Sequence, residues 1–246
     1  MNIDISQSKS ELGQKAGDHA ARLIREELQR RGAASIIVAT GASQFDTLAA
    51  LTRAPDVDWS RVTIFHLDEY VEMAPTHPAS FRRYLQERLI DQLPAAPRAF
   101  HAIDGEGDAL AECERLNTLI EGKNICVACI GIGENAHLAF NDPPADFATE
   151  TPFLVVELDE ACRAQQLGEG WFASLEEVPR RAISMSIRQI MKAREIVCSV
   201  PDERKARAVK GAVEGEVSPD VPASMLQQHP RATLYLDAPA ASLLDR

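Results

Sequence analysis

The chain has 246 residues, a hydrophobic fraction of 45% and a formal net charge of −11. A chain of that length can bury a core without disulfide or metal staples. The acidic balance argues against nucleic acid and anionic membrane as partners, and a phosphorylated small molecule would need a local basic site.

The opening stretch, MNIDISQSKSELGQ, has neither a basic n-region nor an apolar h-region, so no signal peptide is expected. No apolar run approaches the length of a membrane span. Residues 9–31 read as a long amphipathic helix. The run SIIVAT (35–40) reads as a strand, and a helix over 44–53 follows it. VTIFHLD (62–68) is the next strand, and the helix over 78–92 after it has Thr76 and Pro78 as cap and first-turn proline. AFHAI (99–103), a helix over 107–121 and ICVACIGI (125–132) come next. The last strands are FLVVELD (153–159), AISMS (182–186), EIVCSV (195–200) and TLYLD (233–237), with a helix over 202–215 ending at Gly215.

Several of these strands are apolar almost throughout, as strands covered on both faces of a parallel sheet are. The alternation predicts an α/β fold: a single doubly wound, mainly parallel sheet with helices on both faces, Rossmann-like, as one domain over 1–246. Cys126 and Cys129 form a C-x-x-C, but both lie within a buried strand pattern rather than at a helix start. With Cys113, Cys162 and Cys198 they are expected to be reduced thiols in a cytoplasmic protein. No second Cys/His pair has zinc spacing, and no metal is expected.

Ligands of such sheets bind beyond the carboxyl ends of the strands. Thr40-Gly41-Ala42-Ser43 follows the strand over 35–40 and leads into a helix, whose N-terminal N–H groups suit a phosphate. The plain alternative is a tight turn with Ser43 as N-cap. Asp68 ends an apolar strand and is a candidate general base, whereas Glu69 and Glu72 read as solvated loop charges. Arg204 and Lys205 sit in a first helical turn, where cations oppose the dipole by a few tenths to ~1 kcal/mol each. A bound anion would reverse that penalty, which makes Lys205 a candidate phosphate ligand.

GIGENAHLAFNDPP (131–144) has two readings. One is a G-x-G-x-x-A dinucleotide turn, which needs a following helix. Pro143 and Pro144 stop any such helix within two turns. The better supported reading is a turn that presents Asn135, His137 and Asp142, with the carboxylate fixing the tautomer of a proton-shuttling imidazole.

FHLDEYV with HPASFRRYL, then GIGENAHLAFNDPP, then SVPDERKARAVKGAVEG and PASMLQQHP, resemble the glucosamine-6-phosphate deaminase family in its own order, from about Ser35 to Leu236. The resemblance implies an isomerising deamination of an amino sugar phosphate to fructose 6-phosphate and ammonia, with no metal or redox cofactor. It implies Asp68 as the base between C2 and C1, His137 for ring opening, and Asp142 and Asn135 as its supports where the family has Glu and Asp. It also implies a phosphate site from Thr40, Gly41, Ala42, Ser43 and Lys205, with Arg163 matching a phosphate arginine. Ala136 stands where the family has Gly, so a positive φ there would carry strain.

The resemblance leaves two competing readings. A 6-phosphogluconolactonase-type hydrolase shares the superfamily, but its His is followed by a Thr-Ala-Ser type segment, where this chain has Leu138-Ala-Phe-Asn-Asp142. A non-catalytic phosphosugar sensor would carry a DNA-binding segment, and none is expected because the first helix begins almost at once. A small-molecule phosphosugar is the expected partner, without nucleic acid or membrane, and a homo-oligomer is the ordinary state for an enzyme of this size.

Overall fold

The computed structural model describes residues 1–168 and 170–245. The chain begins with β1 (Asn2–Ser6), α1 (Lys9–Arg31), β2 (Ala34–Val38), α2 (Phe45–Arg53), β3 (Val62–His66) and β4 (Asp68–Tyr70). It continues through α3 (Phe81–Arg88), β5 (Ala99–His101), α4 (Ala109–Ile120), β6 (Ile125–Ile130) and β7 (Phe153–Glu157). The last elements are α5 (Glu160–Gly168), β8 (Arg181–Met185), α6 (Ile187–Met191), β9 (Glu195–Val200), α7 (Ala206–Glu214) and β10 (Ala232–Asp237).

Seven strands form one sheet in the order β1-β10-β9-β6-β2-β3-β5. Every pairing in it is parallel. Neighbouring residues of one strand feed opposite layers, since side chains alternate across a sheet. Ile36 packs with Leu12, Ile24, Leu48 and Leu51 of α1 and α2. Ile37 packs with Leu116 and Ile120 of α4 on the other face. All six residues of β6 are buried, which explains its unbroken apolar run.

Local chemistry explains the helix ends. Ser8 accepts a hydrogen bond from the Glu11 N–H at 3.2 Å, while Glu11 accepts from the Gln7 N–H at 3.0 Å. At the far end of α1, Gly32 has φ 76°, the left-handed conformation that glycine adopts without strain. Gly13 and Gly17 let α1 lie directly on α2. A Cβ on Gly17 would stand 2.5 Å from Ala50 Cβ and 2.7 Å from the Thr47 carbonyl oxygen.

Three features depart from the sequence-based expectation. First, the strand over 62–68 is two strands. β3 ends at His66, and β4 pairs antiparallel with β8, which pairs antiparallel with β7. The segments 153–159 and 182–186 therefore join a separate three-stranded sheet instead of the main one. Second, Ser80, not Thr76 or Pro78, caps α3, accepting from the Arg83 N–H at 3.3 Å. Third, β1 is an edge strand that the pattern does not announce. Ile3 and Ile5 stay exposed, so no buried run marks it.

The close approach of α1 and α2 gives a prediction. Gly17→Val should lower unfolding stability in urea by about 1–3 kcal/mol through overpacking. Wild-type stability would show that the two helices can part freely.

Candidate active site

The chain runs outward from β2 through β3 to β5 on one side and from β6 through β9 to β10 on the other. The switch in direction falls between β2 and β6, where parallel sheets open a crevice for ligands. The carboxyl ends of β9, β6, β2 and β3 together line a cleft of about 360 Å³. Gln44, fully buried, ties three of these ends together. Its Nε2 donates to Ser43 Oγ at 3.1 Å, to the Ile130 carbonyl at 3.3 Å and to the Ser199 carbonyl at 3.4 Å.

One end of the cleft gathers two 3-10 turns that lead into helices and several cations. Thr40, Gly41, Ala42 and Ser43 line it and pass through a short 3-10 turn (Ala42–Gln44) into α2. Ser43 is therefore inside the turn, not a helix cap. Gly41 has φ 92° and open space where a Cβ would stand, so its backbone can approach a ligand closely. A second 3-10 turn, Glu203–Lys205, leads into α7 and brings Arg204 and Lys205 to the same cleft. Lys9, the first residue of α1, is a further cation there. The Lys205 argument from helix dipoles applies equally to Lys9, which would have been found by extending it. Arg204 also pairs with Glu134 at 3.4 Å and Asp202 at 3.2 Å.

Arg163 corrects the reading from resemblance. It is not among the cleft residues. Its guanidinium is buried, donating to the Val178 carbonyl at 3.1 Å from Nε and 2.9 Å from NH2, and also to the Leu175 carbonyl. In this conformation Nε and NH2 are given to those carbonyls, within the protein rather than at the cleft.

Asp68 and Glu69 divide their duties by strand alternation. Glu69 points away from the cleft and is fully buried, which corrects its reading as a solvated charge. It accepts from Ser80 Oγ at 2.8 Å and from the backbone N–H groups of Arg82 at 2.9 Å and Tyr70 at 2.9 Å. Two of these donors belong to the start of α3, where the dipole favours a carboxylate. Asp68 faces the cleft, and burial with the charge of Glu69 raises its pKa from 3.8 to about 8.

His137 also lines the cleft, with Asp142 and Asn135 behind it. His137 Nδ1 donates to Asp142 Oδ1 at 3.0 Å, leaving Nε2 for a ligand. Asn135 Nδ2 donates to the same oxygen at 3.0 Å, and Asn135 Oδ1 accepts from the His137 backbone N–H at 3.2 Å. An ionised Asp at 135 could not make the first of these bonds. Asn135 thus supports the carboxylate and the turn rather than touching the imidazole ring. Burial alone would raise the Asp142 pKa, but hydrogen bonding and charge from His137, with a further bond from Asn135, bring it below the usual value.

The glycines of this turn serve the imidazole. A Cβ on Gly133 would stand 2.3 Å from His137 Nε2, and one on Gly131 would press on Gln44 and Ser43. No helix follows them; the chain turns instead, with Ala136 at φ 68° as the comparison with Gly anticipated. The dinucleotide reading therefore lacks its helix. Gln165, Gln166 and Trp171 of the α5 region also line the cleft, although sequence reasoning missed them. Gln166 is held by the Tyr70 hydroxyl, which donates to its Oε1 at 2.7 Å.

A family model described as Glucosamine-6-phosphate isomerases/6-phosphogluconolactonase matches residues 7–235. The chain belongs to this family. Within the glucosamine-6-phosphate isomerase/6-phosphogluconolactonase family, a relative from Lactobacillus delbrueckii subsp. bulgaricus named glucosamine-6-phosphate deaminase is 38% identical over 99% of this chain and 100% of its own. A deaminase of the same name from Rhodopirellula baltica is 38% identical over 95% of this chain and 93% of its own. A solved structure described as a monomeric glucosamine-6-phosphate deaminase superposes with a TM-score of 0.90 at 31% identity, covering 99% of this chain and 100% of that one. A 6-phosphogluconolactonase from Shewanella baltica shares the fold, with a TM-score of 0.78 at 20% identity over 97% and 98% of the two chains.

The raised pKa of Asp68 makes a stability prediction for this family member. The folded carboxyl keeps its proton up to about pH 8, whereas its ordinary value is 3.8. Between those values the folded state binds more protons, so this group's contribution to stability falls as pH rises. Asp68→Asn should remove that slope. In calorimetry its Tm should gain on wild type at pH 7.5 and match it near pH 4. An equal difference at both pH values would place the Asp68 pKa near normal.

Proposed function

We propose that this protein is a cofactor-free glucosamine-6-phosphate deaminase, converting glucosamine 6-phosphate and water to fructose 6-phosphate and ammonia. One observation carries the reading: Asp68 and the His137–Asp142 pair share a cleft whose other end gathers two helix starts and Lys205. The full-length similarity to named deaminases supports it.

The phosphate takes the Thr40–Ser43 turn and Lys205, far from the reacting carbons, and its binding energy positions the sugar. His137 Nε2 takes the proton of the anomeric hydroxyl and returns it to the ring oxygen, opening the pyranose. Asp142 holds Nδ1–H throughout and stabilises the transient imidazolium. Asp68 then carries a proton from C2 to C1. Its buried carboxylate is a strong base, and the substrate's ammonium group favours the ionised form as it enters. Water adds at C2 of the resulting imine and ammonia leaves. An enzyme of the cytoplasm is part of this reading, supported by the five free, buried cysteines.

Purified protein given glucosamine 6-phosphate should release fructose 6-phosphate and ammonia in equal amounts, and should not hydrolyse 6-phosphogluconolactone. The opposite pattern would favour the lactonase. Asp68→Asn should lower kcat by about 10²–10⁴-fold with phosphosugar binding retained, and unchanged turnover would remove Asp68 from the mechanism. For the wild type, kcat/KM should rise with pH through about 8, where free Asp68 ionises. Lys205→Ala should raise KM about 10- to 100-fold with kcat little changed, the value of a charge-assisted phosphate contact. A pure kcat loss would contradict that role.

A further inference from the structure

The carbonyl of Gly41 is held from two directions. It accepts from the Tyr84 hydroxyl at 2.9 Å and from the Gln44 N–H at 3.0 Å. In a trans peptide the carbonyl and the next N–H point opposite ways, so the Ala42 N–H is turned away from Tyr84. Gly41 and Ala42 line the cleft, whereas Tyr84 does not. Among the described residues, none accepts a hydrogen bond from the backbone N–H of Gly41, Ala42 or Ser43. These three donors are therefore not spent within the fold.

That orientation needs holding. Gly41 has φ 92° and ψ 166°, a region of backbone space that belongs to glycine. The same lack of a Cβ lets its peptide turn over at low cost. A half-turn would exchange the Ala42 N–H for the Gly41 carbonyl oxygen, which repels an anion. The tyrosine that opposes this is itself anchored. Its ring is buried and stacks on Phe45 with centroids 5.6 Å apart, and the Arg88 guanidinium carbon lies 3.9 Å from the Phe45 centroid. One turn earlier in α3, the Ser80 carbonyl accepts from the Tyr84 N–H at 3.0 Å, and Ser80 Oγ is a donor to Glu69. One helix thus reaches both the Gly41 turn and β4, the strand that carries Asp68.

We propose that Tyr84 is a positioning residue for phosphate binding, its hydroxyl keeping the Gly41 carbonyl out of the site so that the Ala42 N–H faces the phosphate. The assignment rests on the phosphate site of the proposed function, but not on the chemistry at the other end of the cleft. Tyr84 acts through the turn rather than by touching the substrate.

The ordinary role of such a tyrosine is packing. Tyr84→Phe separates the two roles, because the ring and its stack remain and only the hydroxyl goes. Positioning predicts that Tyr84→Phe binds inorganic phosphate about 5- to 30-fold more weakly in calorimetric titration, the value of one hydrogen bond that holds a binding group in place. With glucosamine 6-phosphate the same loss should fall on KM, with kcat within about twofold of wild type. Ala42→Pro tests the route. Proline deletes the Ala42 N–H, suits the first position of a helical turn and disfavours the turned-over conformation of the residue before it. It should weaken phosphate by itself, and adding Tyr84→Phe should then cost less than about twofold more. Unaltered phosphate affinity in Tyr84→Phe, with or without a fall in Tm, would reduce the hydroxyl to packing and overturn the proposal. So would fully additive losses in the double variant, phosphate affinity unaffected by Ala42→Pro, or a wild type that binds no phosphate. Failure of the wild type to turn over glucosamine 6-phosphate would sink the proposed function, while the phosphate titrations would still decide the role of Tyr84.

Discussion

Two consecutive carboxylates, Asp68 and Glu69, are buried where the chain leaves the large sheet for the small one, and the site is organised around that constraint. Burying either charge without compensation is prohibitive, and their mutual repulsion adds to the cost. Strand geometry sends them to opposite sides. Glu69 is absorbed by Ser80 and the first N–H groups of α3. Asp68 is left to the cleft, where its proton affinity is raised. What makes one carboxylate structural and leaves its neighbour with a raised proton affinity at the cleft is therefore the identity of the donors each one meets.

The same economy recurs at the His137–Asp142 pair. Asp142 is ionised because His137 and Asn135 both donate to it, and His137 is held in one tautomer because Asp142 is ionised. The ring fits because Gly133 has no side chain, and the turn closes although Ala136 must take a positive φ. A residue of αL backbone without glycine stores strain of about 1–3 kcal/mol, and such strain persists where surrounding contacts over-determine the loop. Here Asn141 supplies them, its Nδ2 donating to the Leu138 carbonyl at 2.7 Å and the Met185 carbonyl at 2.8 Å.

Much of this was legible along the chain. Apolar strands alternating with capped helices pointed to the doubly wound sheet, and the residues after four of those strands pointed to Thr40–Ser43, Asp68, His137 and Lys205. These are local signals: a strand end is visible in its own residues, and a polar group just beyond it faces the crevice by the geometry of the fold. Arg163 was legible as a charge but not as a direction. Its guanidinium bonds to the carbonyls of Leu175 and Val178, residues twelve or more positions away.

The sequence alone thus determined the order and type of most elements, the mainly parallel sheet and the residues at its carboxyl edge, because these depend on periodicity and on neighbours a few positions apart. Only the tertiary structure decided that the strand over 62–68 breaks at Leu67 into two sheets, that Glu69 is buried and Asp68 is not compensated, and that Lys9 joins Lys205 across the cleft. It also decided that the Cys162 sulfur lies within 4.8 Å of the His137–Asp142 pair. Each of these is a contact between segments far apart in the chain. The energy of a polar side chain is set by the donors, acceptors and solvent that folding brings to it, which its own residue type does not contain.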